Sequence, residues 1–257
     1  MINLKTKYWE IENIDTILFD KDGTFIDLHY FWGKMTELRV LELINIYNLD
    51  KNLLKELCLL LGYDTDSQKM KEDGITALYS RSKIIEIFKN DLLKYSISIT
   101  TEKLEEIFDN VNQIFYKDME KYTKPIPEAI DFIEKMHKKN IKMAIVTSDS
   151  IESTLKTLKQ FNWEKYFKAI IGRESTPDLK ETGTAAKMAL KELNSNPRTS
   201  IMIGDTPIDF MCAKNAGIEK TILVSTGQIG LNNLEKITPY ALKSLKEIEY
   251  SEECLKI

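Results

Sequence analysis

Ile17-Leu18-Phe19-Asp20-Lys21-Asp22-Gly23-Thr24 is the stretch that decides the fold. Its apolar run reads as a buried strand, and it stops abruptly at two carboxylates one residue apart. Residues i and i+2 point the same way from an extended backbone, so Asp20 and Asp22 can face one site at the strand's end. Two like charges that close repel by roughly 4 kcal/mol at about 4 Å and an effective dielectric of about 20. A chain tolerates this when a cation sits between them, or when one carboxyl holds a proton. Both conditions suit metal-assisted chemistry on a phosphate ester. Gly23 permits a tight turn that a β-carbon would strain.

Working outward, the texture changes at once. From about Tyr30 to about Tyr122 the apolar residues recur three or four apart, as helices require. Phe31, Met35, Leu38, Leu41 and Ile44 form one stripe, and Leu53, Leu54, Leu57, Leu60 and Leu61 a second that closes at Gly62. Ile84, Ile85, Phe88 and Leu92 mark a third, and Leu104, Ile107, Phe108, Val111, Ile114 and Phe115 a fourth behind the hydroxyls of Thr100 and Thr101. These stripes read as the core of a small helical bundle. After Pro125 and Pro127 short apolar strands alternate with helices: strands at 141–146, 169–172, 200–203 and 221–224, helices at 153–161, 185–193 and 208–216. That alternation predicts a parallel, doubly wound sheet, with the strand at 16–19 as a member and the bundle inserted after it. The expected division is a core of residues 1–28 and 123–257 with a helical domain of residues 29–122. The tail beyond about Asn232 reads as a peripheral helix or a loosely held end.

Composition narrows the function classes. Charged residues make up 30% of the 257, yet the formal net charge is only −4. No polycationic face results, which argues against nucleic acid as a main partner. No window approaches about 18 uninterrupted apolar residues, so no membrane span is expected. The first ten residues lack the apolar core and cleavage site of an export signal. Cys58, Cys212 and Cys254 are scattered, and an odd number without an export signal predicts reduced thiols in the cytoplasm. Only His29 and His137 occur, which disfavours a multi-histidine zinc site. His137 reads as a solvated helix end, and His29 as structural or surface, although it lies near enough to the carboxylates to reach a substrate.

In doubly wound sheets the ligand sits beyond the carboxyl ends of the strands, so the residues there carry the chemistry. The first end supplies Asp20 and Asp22. The second supplies Thr147, Ser148, Asp149 and Ser150 before a helix, where a hydroxyl and free N–H groups make an anion cradle and where an ordinary N-cap would look the same. The third contributes Lys180. The fourth, Ile203-Gly204-Asp205-Thr206-Pro207-Ile208-Asp209, again puts an acid straight after a buried strand, with Asp209 in the first turn of the next helix. Carboxylates for a hard divalent cation and a lysine with N–H groups for a phosphoryl group then complement one another.

This set, in this order, resembles the haloacid dehalogenase superfamily of phosphohydrolases, and the helical insertion resembles the phosphoglycolate phosphatase-like branch with an α-helical cap. The resemblance spans residues 14–228 or so. It implies an α/β fold, a doubly wound parallel-sheet Rossmann-like core with an inserted α-helical cap domain. It also implies Mg²⁺-dependent hydrolysis of a small phosphorylated metabolite, whether phosphoglycolate-like, a sugar phosphate or a nucleotide. By the same resemblance Asp20 would be the nucleophile that forms an aspartyl-phosphate, and Asp22 the general acid and then base. Asp20, the main-chain carbonyl of Asp22, and Asp205 would bind Mg²⁺, with Asp209 in support. Thr147 and the N–H of Ser148 would hold phosphoryl oxygens, and Lys180 would offset charge.

The cap is expected to close by hinging near Ile26-Asp27 and Lys124-Pro125, with Arg81 and His29 as candidate substrate contacts. Three positions depart from the family pattern: Phe25 in place of Leu, Ser148 in place of Asn, and Glu181 in place of Pro after Lys180, where it could pair with that lysine. None removes a group the mechanism requires. True dehalogenases lack an aspartate at the position of Asp22, so phosphate is favoured. The alternatives are a phosphotransferase or sugar-phosphate mutase, which product analysis separates, and a non-catalytic phosphate-ligand-binding regulatory protein. Oligomeric state is not legible.

Overall fold

The computed structural model describes residues 1–252, so Cys254 lies outside the described residues. The chain divides into two compact units, Met1–Asp27 with the chain from Pro125 onward, and Leu28–Lys124. The first unit opens with β1 (Ile2–Lys5) and β2 (Glu10–Ile14), an antiparallel pair, followed directly by β3 (Thr16–Phe19). All four residues of β3 are buried. A strand covered on both faces must read as a continuous apolar run, and Ile17 to Phe19 does.

The second unit is helical: α1 (Leu28–Tyr47), α2 (Leu54–Leu60), α3 (Ile75–Leu78), α4 (Arg81–Leu92), α5 (Thr101–Lys117) and α6 (Met119–Tyr122). The sequence stripes become two apolar clusters. One gathers Val40, Leu43, Leu57, Ile84, Phe88, Leu104 and Phe108, and the other Phe31, Met35, Val111, Phe115 and Met119. Burying each such side chain contributes about 1.5–3 kcal/mol. Leu41 and Ile114, counted in the stripes, face solvent instead. The Thr100 hydroxyl caps α5 by accepting the Lys103 N–H at 3.2 Å. A two-residue hairpin, β4 (Tyr63–Asp64) and β5 (Lys69–Met70), is too short to leave a sequence signal. His29 Nδ1 accepts the Met70 N–H at 3.1 Å, so this ring ties the hairpin to α1.

The first unit resumes with α7 (Pro127–Lys138), β6 (Lys142–Val146), α8 (Ile151–Phe161), β7 (Ala169–Ile171), α9 (Thr184–Glu192) and β8 (Ser200–Gly204). It continues through α10 (Pro207–Asn215), β9 (Lys220–Val224), α11 (Leu231–Leu234), β10 (Ala241–Leu242) and β11 (Glu249–Glu252). Six strands form one sheet in the order β10-β9-β8-β3-β6-β7, every pair parallel. Alternate residues of β3 serve opposite faces. Ile17 and Phe19 join Phe132, Ile145 and Ile222 in one cluster, while Leu18 joins Val146, Ala186, Met202 and Cys212 in another. Helices cover both faces, which makes this a doubly wound α/β fold.

One expectation is corrected. Through residue 252 the tail is neither a peripheral helix nor loose: after α11, β10 extends the sheet beside β9, and β11 pairs antiparallel with β1. Buried Leu242 and Leu245 anchor it. Phe25, the departure from Leu, is a packing residue. It is fully buried, stacks on Phe167 at 5.7 Å and meets Trp163 edge-on at 6.3 Å.

Candidate active site

β3 lies at the centre of the sheet, with Phe19 opposite Ile145 on one side and Ile203 on the other. The Asp20 N–H continues this ladder by donating to Ile203 O at 2.8 Å, so Asp20 emerges between the ends of β6 and β8. Gly23 then turns the chain with φ +85°, and a β-carbon there would run into the Asp205 carboxylate. The acids of the first and fourth strand ends are thus packed across a glycine.

Asp20, Asp205 and Asp209 each offer a carboxylate oxygen, and these three lie within 4.8 Å of one another. All three residues are buried. Asp209 is held at the start of α10 because its Oδ2 accepts the N–H groups of Asp205 and Thr206, at 3.1 and 3.0 Å, and the Thr206 hydroxyl at 2.8 Å. Lys180 Nζ lies 2.5 Å from Asp20 Oδ1 and 2.7 Å from Asp209 Oδ1. It turns to these two acids and not to Glu181, because the buried carboxylates offer an ammonium more than a half-buried neighbour does. Glu181 contributes its main-chain oxygen, which accepts from Asn215 at 2.7 Å.

Burial dominates the electrostatics. It pushes the Asp20 carboxyl up to about 7; Lys180 pulls the other way, and Asp209 and Asp22 add to the rise. Burial, then the Asp20 charge, hold Asp205 well above the ordinary carboxylate range. Burial alone would lower Lys180, but Asp20 and Asp209 outweigh it and keep the ammonium charged. Fully ionised, the three acids would outweigh the one lysine, and among the described residues Asp205 Oδ2 is buried with no hydrogen-bond partner. The cluster suits a hard divalent cation.

The Asp22 carboxylate is not part of this trio. Its Oδ1 lies 2.7 Å from Lys21 Nζ, which also lies 3.0 Å from Asp149 Oδ2. Burial raises Asp22 above its ordinary value against the pull of Lys21. Sequence reasoning passed over Lys21. The available signal was a lysine embedded between an apolar strand and two acids, where a buried ammonium must find partners.

Thr147 directly follows β6, buried, with its N–H donated to Ile171 O at 3.0 Å. Its Oγ1 accepts the Asp149 N–H at 3.1 Å, which leaves the hydroxyl hydrogen to donate elsewhere. Ser148 is exposed beside it. The expected cradle of free N–H groups is smaller than the sequence suggested. Ser150 N–H goes to Asp149 Oδ1 at 2.7 Å, Ile151 N–H to Glu174 Oε2 at 3.1 Å, and Ser153 N–H to Ser150 Oγ at 3.1 Å. The N-cap consumes these donors, and Thr147 and Ser148 remain.

Elsewhere, Arg81 is half-exposed, pairs with Asp109 at 2.6 Å and donates to Glu105 O at 3.2 Å. His137 is exposed on α7. Cys58 and Cys212 are buried free thiols, pushed up to about 12 and about 11 by burial. Among the described residues, no helix is long and apolar enough to cross a membrane.

A sequence model described as haloacid dehalogenase-like hydrolase matches residues 45–224. The match opens inside α1, after Asp20 and Asp22, and takes in Thr147, Lys180, Asp205 and Asp209. The chain is 23% identical over 236 residues to the pyrophosphatase PpaX of Halalkalibacterium halodurans, covering 91% of this chain and 95% of that protein. It is 28% identical over 224 residues to a phosphoglycolate phosphatase of Aquifex aeolicus, covering 84% and 87%. The fold matches a HAD-superfamily hydrolase, subfamily IA, from Geobacter sulfurreducens with a TM-score of 0.65 at 16% identity, covering 91% of this chain and 94% of that one. With strand-end acids gathered around one lysine and more than half of its length matched, this chain belongs to the haloacid dehalogenase-like hydrolase family.

Proposed function

We propose that the protein is a Mg²⁺-dependent phosphatase that hydrolyses a small phosphomonoester through an aspartyl-phosphate on Asp20. The observation that carries this reading is the buried trio Asp20, Asp205 and Asp209 with Lys180 against it. The donors fit Mg²⁺: hard carboxylate oxygens, no sulfur or imidazole among them, and a buried Oδ2 on Asp205 that has no partner among the described residues. Asp20, Asp205 and the main-chain carbonyl of Asp22 would hold the ion, with Asp209 in support. When bound it would neutralise charge on the phosphoryl oxygens.

Asp20 attacks phosphorus, the bond from phosphorus to the ester oxygen breaks, and Asp22 gives that oxygen its proton. Thr147 Oγ1 and the Ser148 N–H donate to phosphoryl oxygens, while Lys180 offsets their charge. Asp22 next takes a proton from water as the water oxygen attacks phosphorus. Inorganic phosphate leaves and the Asp20 carboxylate is restored. Phosphoryl transfer asks mainly for positioning and charge neutralisation, which these residues supply.

The curated relatives are named for phosphoglycolate and for pyrophosphate hydrolysis, so the substrate proposed here is a small phosphorylated metabolite of comparable charge. The test is release of inorganic phosphate from p-nitrophenyl phosphate and from a panel holding phosphoglycolate, sugar phosphates, nucleotides and pyrophosphate. Turnover is expected to vanish with a chelator and in Asp20→Asn. Undiminished turnover in that variant would sink the assignment, and phosphate passed to another hydroxyl without release would point to a phosphotransferase.

A further inference from the structure

Lys21 stands between the two acids of the first motif, and its side chain is only 1% exposed. Its ammonium is shared by Asp22 Oδ1 at 2.7 Å and Asp149 Oδ2 at 3.0 Å. These partners belong to different loops, one leaving β3 and the other leaving β6. Asp149 is itself pinned, with Oδ1 accepting the Ser150 N–H at 2.7 Å and its own N–H given to Thr147 Oγ1 at 3.1 Å. A chain of contacts therefore runs from Asp22 through Lys21 and Asp149 to the Thr147 hydroxyl. Asp22 is tethered through one oxygen only. Among the described residues the other has no partner, and 18% of the side chain is open to solvent.

We infer that Lys21, held by Asp149, is a positioning residue that fixes the free oxygen of Asp22 relative to the hydroxyl of Thr147. This rests on the phosphatase reading above. In that reaction the proton on Asp22 must meet the ester oxygen as its bond to phosphorus breaks, while Thr147 holds the phosphoryl group. A carboxylate free to rotate about χ1 and χ2 would spend little time at that oxygen, and a displacement of about 1 Å costs about 10²-fold in rate. The ammonium removes this freedom without entering the chemistry, since it keeps its protons throughout. A purely architectural ion pair would join the two loops equally well, but it would have no reason to engage the acid of the motif and leave that acid's other oxygen open.

The discriminating measurement is the leaving-group dependence of kcat/KM, which reports the steps through departure of the ester oxygen and not the later attack of water, where Asp22 serves both esters alike. Phenyl phosphate needs its departing oxygen protonated, whereas 2,4-dinitrophenyl phosphate loses a stable anion and needs little help. In Lys21→Met, which keeps length and apolar bulk, kcat/KM on phenyl phosphate should fall about 10²-fold, the lower end of what general acid catalysis supplies. On dinitrophenyl phosphate it should fall by no more than about threefold if only proton delivery suffers. Asp149→Asn, which leaves Lys21 its bond to Asp22, should show the same bias to a smaller degree, and it carries the test if Lys21→Met does not fold. Equal losses on the two esters in both variants would make the pair architectural and overturn the inference, as would no loss. A wild-type protein that releases phosphate from neither these esters nor any compound of the panel above would refute the phosphatase reading itself and take this inference with it.

Discussion

Lys180→Met is the substitution whose consequence the geometry fixes most tightly. Methionine keeps the apolar stem but deletes an ammonium lying 2.5 Å from Asp20 and 2.7 Å from Asp209. All three side chains are at least nine-tenths buried, so solvent cannot take over the lost neutralisation. Removing one partner of a buried ion pair costs about 3–5 kcal/mol, because the other charge stays behind uncompensated. For a chain of this size each kcal/mol moves the melting temperature by about 2–4 °C, which predicts a fall on the order of 10 °C at pH 8 without divalent cation. The cost should shrink at pH 5, where protonation of a carboxyl relieves the cluster. Two compact units can melt separately, so calorimetry, which resolves the transitions, is the appropriate assay. A melting temperature unchanged at pH 8 would refute the view that Lys180 holds the acids together by charge.

The same cluster predicts a linked dependence on pH and metal. An acid whose folded pKa is raised binds its proton more tightly when folded, so stability is lost as pH climbs from the unfolded value to the folded one. For Asp20 that window runs from its ordinary 3.8 to about 7, and it is worth up to about 4 kcal/mol at 1.36 kcal/mol per unit. Metal-free protein should therefore melt lower at pH 8 than at pH 5, and added Mg²⁺ should raise the melting temperature more at pH 8. An equal Mg²⁺ effect at both would count against the trio as the binding site. In the helical unit, Arg39 is 7% exposed, donates to Asn112 at 3.1 Å, lies over the Phe108 ring at 4.2 Å and has a buried Nε without a partner among the described residues. Replacing such a group by a well-packed apolar side chain is often neutral or stabilising by about 1–4 kcal/mol. Arg39→Met should accordingly hold or raise the denaturant midpoint of that unit, and a loss above about 2 kcal/mol would show that the guanidinium supports the bundle.

The site was legible in sequence where a local rule marks it. An apolar run cut short by an acid is visible without coordinates, so Asp20 and Asp205 stood out, and parallel strands in one sheet then had to bring their carboxyl ends to one edge. Partnerships across the chain were not legible. Lys180 looked toward Glu181 because that is its neighbour in sequence, yet its partner Asp20 lies 160 residues away. Lys21 was silent for the same reason, since what it needs, Asp149, arrives on a different strand. The strands that escaped notice fail differently. Glu10 to Ile14 and Glu249 to Glu252 are short and largely polar, and they become strands by pairing with β1 rather than by any pattern of their own. Local texture thus located the acids, whereas the network that tunes them depends on which loops the finished sheet brings side by side. Substitutions at Lys21, Asp149 and Lys180 consequently probe what the fold adds to the motif, and those at Asp20 and Asp205 probe the motif itself.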